Sequence, residues 1–185
     1  MFKDEILENE RRRNVYSYIE ANPGIHLREL QRILNIPLAS LDYHLSYMAR
    51  KKIIFQEKSG HYMRYYCKPL EQEDKKILYA LRQKSTREII LIILAKKKVK
   101  SNFLVESLKL PRSTLSFYLK YLIDNHIIAR TKVGYENIYT IRDEDKVAHV
   151  LIAYKPGFLD KLADKALSTW LEMSSQKEKE KEKPE

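Results

Sequence analysis

A mainly helical chain with small β-hairpins is what this sequence predicts, and three observations predict it. Only four of its 185 residues are glycine, while leucine, isoleucine, lysine and glutamate are plentiful, a composition that favours helix. Apolar residues, 44% of the chain, recur at helical spacing in block after block and switch to a strand-like pattern only around Gly60 and Gly134. The chain also repeats itself. Sliding it by 74 residues aligns residues 13–67 with 87–141 without a gap and matches 14 of the 55 pairs.

Most of the matched pairs are apolar, including Leu30/Leu104, Leu34/Leu108, Leu41/Leu115 and Leu45/Leu119, so the two copies share a core. Pro37/Pro111 and Gly60/Gly134 match as well, so they share turns. A unit of this length is too large for a solenoid repeat and reads as a small domain used twice.

Each copy yields the same order of elements. "RRNVYSYIEANPG" is a helix with Val15 and Ile19 inward, stopped by Pro23-Gly24; "TREIILIILAKKK" takes its place in the second copy. "IHLRELQRIL" is a second helix burying Leu27, Leu30 and Leu34. "NIP" is a tight turn, with Pro37 suited to a helix start. "LASLDYHLSYMARKK" is the third helix, and "IIFQEKSGHYMRYYC" a hairpin turning at Gly60. Helix, helix, short turn, helix and hairpin make a winged helix-turn-helix. The expected fold is therefore mainly α with small β-hairpin wings: tandem winged helix-turn-helix domains plus C-terminal helices.

The expected boundaries are 1–68 for the first domain, 69–84 for a polar helical connector and 85–142 for the second domain. C-terminal helices follow over 143–173, and a charged tail over 174–185. "DEDKVAHVLIAYK" is a helix of the second domain, broken at Pro156-Gly157. "FLDKLADKALSTWLEM" then carries Phe158, Leu162, Ala166 and Trp170 on one stripe, with Leu159, Ala163 and Leu167 beside it. So wide a stripe either packs back on its own domain or pairs with a second subunit, and a homodimer is the favoured expectation. "SSQKEKEKEKPE" has no core former and reads as a disordered tail.

"NPGIHLRELQRILNIPLASLDYHLSYMARKKIIFQEKSGHYMRYY" resembles the first domain of archaeal transcription regulators with two tandem winged helices. It also resembles the wider arsenic-repressor-like and multiple-antibiotic-resistance-like winged helices. The features that carry the resemblance are Pro23-Gly24, "HLREL", "DYHL" and the "G…RYY" hairpin; "LPRSTLSFYLKYLIDNHIIARTKVGYENIYTI" is similar to the second domain. The resemblance implies a transcription regulator that binds double-stranded DNA at promoters, with basal transcription factors as further partners. Metal-sensing relatives use paired cysteines. Cys67 is the single cysteine here, so no metal and no cofactor is expected.

The charge agrees with a polyanionic partner. The net formal charge is +10, and it lies in the first three quarters: +4 over residues 1–68, +7 over 69–141 and −1 over 142–185. In such a fold the third helix enters the major groove, the second braces the backbone and the wing reaches a neighbouring phosphate. Expected contacts in the first copy are Arg28, Ser40, Tyr43, Tyr47, Lys58 and Arg64, with Arg32 and His61 nearby. In the second they are Arg112, Ser113, Thr114, Ser116, Phe117, Lys120, Tyr121 and Lys132, with Arg130 and Tyr135 on the wing. Hydroxyls suit base edges or phosphates, and aromatic rings suit thymine methyls.

Tyr47 and Tyr121 suit a phosphate contact or packing on the wing. Arg11-Arg12-Arg13 suits a solvated helix face or a phosphate. Lys96-Lys97-Lys98 suits a helix end, where cations favour the dipole. Asp42 makes the second copy the expected base reader, because a carboxylate on the first reading helix repels phosphate, the alternative being that it accepts from a cytosine amino group. Protein-scaffold and RNA-binding roles are the alternatives.

Enzymatic function is not expected, for the sequence has no phosphate-binding glycine loop, no metal-ligand cluster and no nucleophile with a base. With no signal-like or membrane-spanning run, the expected location is cytoplasmic.

Overall fold

The computed structural model of the chain describes residues 2–59, 61–154 and 166–172. The chain divides into two units, Met1–Lys75 and Lys76–Glu185. It is mainly helical, with two small three-stranded antiparallel sheets, which is the fold class read from the sequence.

Unit 1 runs α1 (Phe2–Ile6), α2 (Glu10–Ala21), β1 (Ile25–His26), α3 (Leu27–Leu34), α4 (Leu38–Arg50), β2 (Phe55–Ser59) and β3 (Tyr62–Tyr66). The Asn9 side chain caps α2 by accepting from the Arg12 amide at 3.1 Å. Helix α2 buries Val15, Tyr16 and Ile19, and α4 buries Leu41, His44, Leu45 and Met48. With Leu30 of α3, Ile53, Ile54 and Tyr65 these close one core. Asn35 ends α3 in the left-handed conformation, φ 51°, which asparagine tolerates better than most residues. The turn expected at Gly60 lies outside the described residues.

The sequence reading missed two features of unit 1. Ile25 and His26 are not the first turn of a helix but a short strand, paired antiparallel with β3 through Ile25↔Tyr65 and His26↔Arg64. Burial decides this: Ile25 is fully enclosed, and the His26 Nδ1 accepts the Glu29 amide at 3.3 Å, making His26 the cap of α3. The second feature is α1. Arg13 donates to the carbonyls of Leu7 and Glu8, both at 3.1 Å, and so closes the end of this short helix.

Helix α5 (Gln72–Arg82) crosses the division between the units. Lys75 pairs with Glu57 of β2. Ile77, Leu78, Ala80 and Leu81, on the other side of the division, are buried. The connector expected to be polar is therefore polar only in its first half. Its second half joins a core, fastened by the buried Thr86 hydroxyl, which donates to the carbonyls of Ala80 and Gln83, and by Arg87, which donates to Leu81 at 2.9 Å.

Unit 2 continues with α6 (Lys84–Lys96), β4 (Val99–Lys100), α7 (Ser101–Leu108), α8 (Arg112–Asp124), β5 (Ile128–Val133), β6 (Glu136–Ile141) and α9 (Glu144–Ala153), and residues 166–172 are helical. The 74-residue offset holds in detail. Helices α7 and α8 begin and end 74 residues after α3 and α4. Val99↔Tyr139 repeats Ile25↔Tyr65. The left-handed residues Asn35 and Lys52 recur as Lys109 and His126. Helix α9 is capped by Asp143, which accepts from the Lys146 amide at 2.9 Å. No helix among the described residues is long and apolar enough to cross a membrane.

Candidate nucleic-acid interface

In unit 1 the buried leucine stripe of α4 leaves Ala39, Asp42, Tyr43, Ser46 and Arg50 exposed, with Ser40 and Tyr47 half-buried. The aromatic rings form a ladder. Tyr43, 61% exposed, stacks on Tyr47 with centroids 6.4 Å apart, and the Arg12 guanidinium lies over the Tyr47 ring at 4.7 Å. Tyr47 therefore packs against α2. Arg11, also on α2, borders the turn before α4, in a cleft with Asn14, Leu34, Asn35, Ile36 and Pro37. The three consecutive arginines thus have three fates: Arg13 caps α1, Arg12 covers Tyr47, and Arg11 is exposed beside the turn.

His44 lies behind this face, 8% exposed. Burial holds its pKa below the ordinary histidine value, and the charges of Arg12 and Arg11 push the same way, so it stays neutral near pH 7. Cys67 is also inward: its thiol donates to the Tyr16 carbonyl at 3.6 Å, and burial pushes its pKa up to about 12. It is a packed thiol, not a thiolate.

On α3, Arg28 and Arg32 are exposed one turn apart, Arg28 reaching Gln31 at 3.5 Å. On the hairpin, Lys58 and His61 are exposed, and Tyr62 stacks on His26 at 4.9 Å. Tyr65 and Tyr66 point inward. Arg64, expected on the binding surface, is half-buried and donates to the Gly24 carbonyl at 2.7 Å. Gly24 in turn donates its amide to the Tyr65 carbonyl at 2.8 Å. Arg64 thus ties β3 to the turn that precedes β1.

In unit 2 the exposed face of α8 carries Arg112, Ser113, Ser116, Phe117 and Lys120, with Thr114 and Tyr121 half-buried. Phe117 is 69% exposed. Lys120 bonds Asp124 one turn on at 3.0 Å, and Arg112 reaches Asn102 of α7 at 3.5 Å. Lys132 and Arg130 are exposed on β5. The hairpin turns through Gly134-Tyr135, where φ +60° at Gly134 suits the first central position of a type II′ turn. Tyr135 is fully exposed at its tip. Lys100 and Glu136 pair at 2.6 Å, so Lys100 is compensated.

The sequence placed these side chains by helical period alone. It could not reveal that Arg64 already has a partner within the chain, or that Arg12 belongs with α4. Phe158 and Leu162 lie outside the described residues. Ala166 and Leu167 are buried within the chain itself, and Ala166 lines a groove with Leu91, Ile92, Ala95, Phe103 and Leu108. Trp170 is half-buried and Leu171 is 50% exposed.

Against known proteins, residues 9–78 match a family model described as an N-terminal HTH domain. The matched segment spans α2 to β3 and runs into α5, so it contains both the arginine-bearing α3 and the aromatic face of α4. The chain is 30% identical over 141 residues to an uncharacterised HTH-type transcriptional regulator of Methanocaldococcus jannaschii. The match covers 76% of the chain but 36% of that relative's length.

Among solved structures, HlyU from Vibrio cholerae is 19% identical, with a TM-score of 0.41, over 46% of this chain and 96% of its own. The transcriptional repressor PagR of Bacillus anthracis is 21% identical, with a TM-score of 0.40, over 44% of this chain and 92% of its own. A chain of the endosomal complex ESCRT-II is 18% identical, with a TM-score of 0.30, over 76% of this chain and 63% of its own.

Proposed function

We propose that this protein is a sequence-specific DNA-binding transcription regulator acting at promoters, without enzymatic activity. The observation that carries the reading is the α3–α4 surface of the HTH domain: paired exposed arginines on the bracing helix beside hydroxyls and rings on the next. Phosphate contacts from the arginines would position the duplex, and the ring and hydroxyl face would read base edges. The likeness to an archaeal transcriptional regulator supports the same reading.

We extend it to unit 2, taking residues 85–142 as a second winged helix-turn-helix whose α8 face, Arg112 to Tyr121, meets the major groove while Lys132 reaches a phosphate. A homodimer is part of the proposal. Of the stripe's described residues, Ala166 is already covered by its own unit and Trp170 is half-buried.

A gel shift with random genomic fragments across a salt series tests the reading. Binding should weaken steeply with salt, by about 0.9 log units per log unit of salt for each phosphate neutralised, and selection from a random duplex pool should return a motif. No binding at low salt would favour a protein-interaction scaffold. Light scattering on the same sample should give twice the chain mass, and a monomer mass ends the dimer proposal.

A further inference from the structure

The repeat permits a position-by-position comparison of how the two units would meet a polyanion. On the bracing helix, Arg28 and Arg32 of α3 correspond to Asn102 and Glu106 of α7, and all four are exposed. At the start of the preceding helix, Arg11 and Arg12 correspond to Ser85 and Thr86, and Thr86 is turned inward to bond Ala80 and Gln83. At the end of the reading helix, exposed Arg50, Lys51 and Lys52 correspond to Asp124, Asn125 and His126. Seven cations in unit 1 thus face no cation and two carboxylates in unit 2.

Unit 2 regains Lys84 for Glu10, Lys109 for Asn35, Arg112 for Leu38, Lys120 for Ser46 and Arg130 for Gln56, and it has Ser116 where unit 1 has Asp42. Of these cations, Lys120 is held by Asp124. The larger total charge of the second segment therefore does not mark the stronger grip. Part of it is paired with a carboxylate outside that segment: Lys97 with Glu144.

We infer that unit 1 supplies the backbone grip on DNA, through Arg28 and Arg32 of α3 together with Arg11 and Arg12 of α2, a set that unit 2 lacks. The inference rests on the DNA-binding reading above and says where its affinity comes from. Arg11 and Arg12 reach the surface beside the α4 face from a helix outside the α3–α4 pair. Arg12 also holds the Tyr47–Tyr43 ladder, so one guanidinium both orders an aromatic surface and adds positive field to it. Unit 2 keeps hydroxyls, Phe117 and Arg112 on α8, which suits base contact more than grip.

The test uses the full chain and a labelled random-sequence duplex, with Kd measured from 50 to 300 mM salt. Arg28→Ala with Arg32→Ala should weaken binding across unrelated sequences alike and flatten the salt slope by about 1.8, two phosphates at about 0.9 each. Arg11→Ala should flatten it by about 0.9. Both sets lie on exposed positions, and an unchanged far-UV spectrum confirms that the variants fold. Arg130→Ala with Lys132→Ala on the unit 2 hairpin should flatten the slope less than the α3 pair.

Should the α3 variant keep the parent slope, or should the unit 2 variant lose as much or more, the inference is overturned while DNA binding stands. Should the parent chain itself fail to bind at 50 mM salt, it is the DNA-binding reading that falls.

Discussion

Leu45→Ala should cost unit 1 about 3 kcal/mol, and Leu119→Ala should cost unit 2 a similar amount, within the range of about 2–5 kcal/mol seen for buried leucines. The two positions are equivalent in the repeat, sit mid-helix on α4 and α8, and are 1% and 3% exposed. Each leucine holds its helix in the core of its unit, so truncation leaves a cavity in a core too small to absorb it. Urea unfolding followed by two probes checks this. The single tryptophan, Trp170, belongs to unit 2, whereas circular dichroism reports both units.

Leu119→Ala should move the Trp170 fluorescence midpoint down by roughly 1–3 M urea, given slopes of about 1–3 kcal/mol per M. Leu45→Ala should leave that midpoint in place and split or broaden the circular dichroism transition. Identical shifts of both probes in both variants would mean that the chain unfolds as one cooperative body.

These leucines were legible from period alone, and the reason is physical. Side chains three and four residues apart share a helix face, so a core stripe repeats in sequence whatever surrounds it. The 74-residue offset was legible for the same cause, since cores and turns resist substitution by unlike residues. Strands β1 and β4 were not legible. Two residues set no period, and Ile25 is an edge partner only because β3 passes beside it, a contact 40 residues away in sequence.

The buried half of α5 was hidden differently. Gln72 to Lys76 is so polar that it masks Ile77, Leu78, Ala80 and Leu81 behind it. At the interface, which residues are exposed was readable, but their pairing was not. Lys120 next to Asp124 is an i, i+4 pair that the sequence could have suggested. Arg12 over Tyr47 depends on how α2 crosses α4, and nothing in the sequence fixes that crossing.

Arg64 is the sharpest case, because its two readings predict different measurements. As a surface cation it would touch phosphate, and Arg64→Met would flatten the salt slope of DNA binding by about 0.9 while leaving stability alone. Its geometry predicts the reverse. The guanidinium donates to the Gly24 carbonyl at 2.7 Å from a half-buried position, and Gly24 holds φ +75°, a conformation that favours glycine.

The brace and the glycine belong together. In unit 2, isoleucine stands at the position equivalent to Arg64 (Ile138) and lysine at that equivalent to Gly24 (Lys98), and Gly24 is not replaced by another positive-φ glycine there. Methionine keeps the stem's packing but strands the carbonyl, and a lost hydrogen bond to a charged donor costs about 1.5–3 kcal/mol. Arg64→Met should therefore lower the stability of unit 1 by about 2 kcal/mol and leave the salt slope of the folded protein unchanged. The hairpin is carried by β3, which this bond anchors to the end of α2. Weaker binding should then appear only as the temperature nears the lowered melting point, where the hairpin loses its fixed position before α4 loses its core.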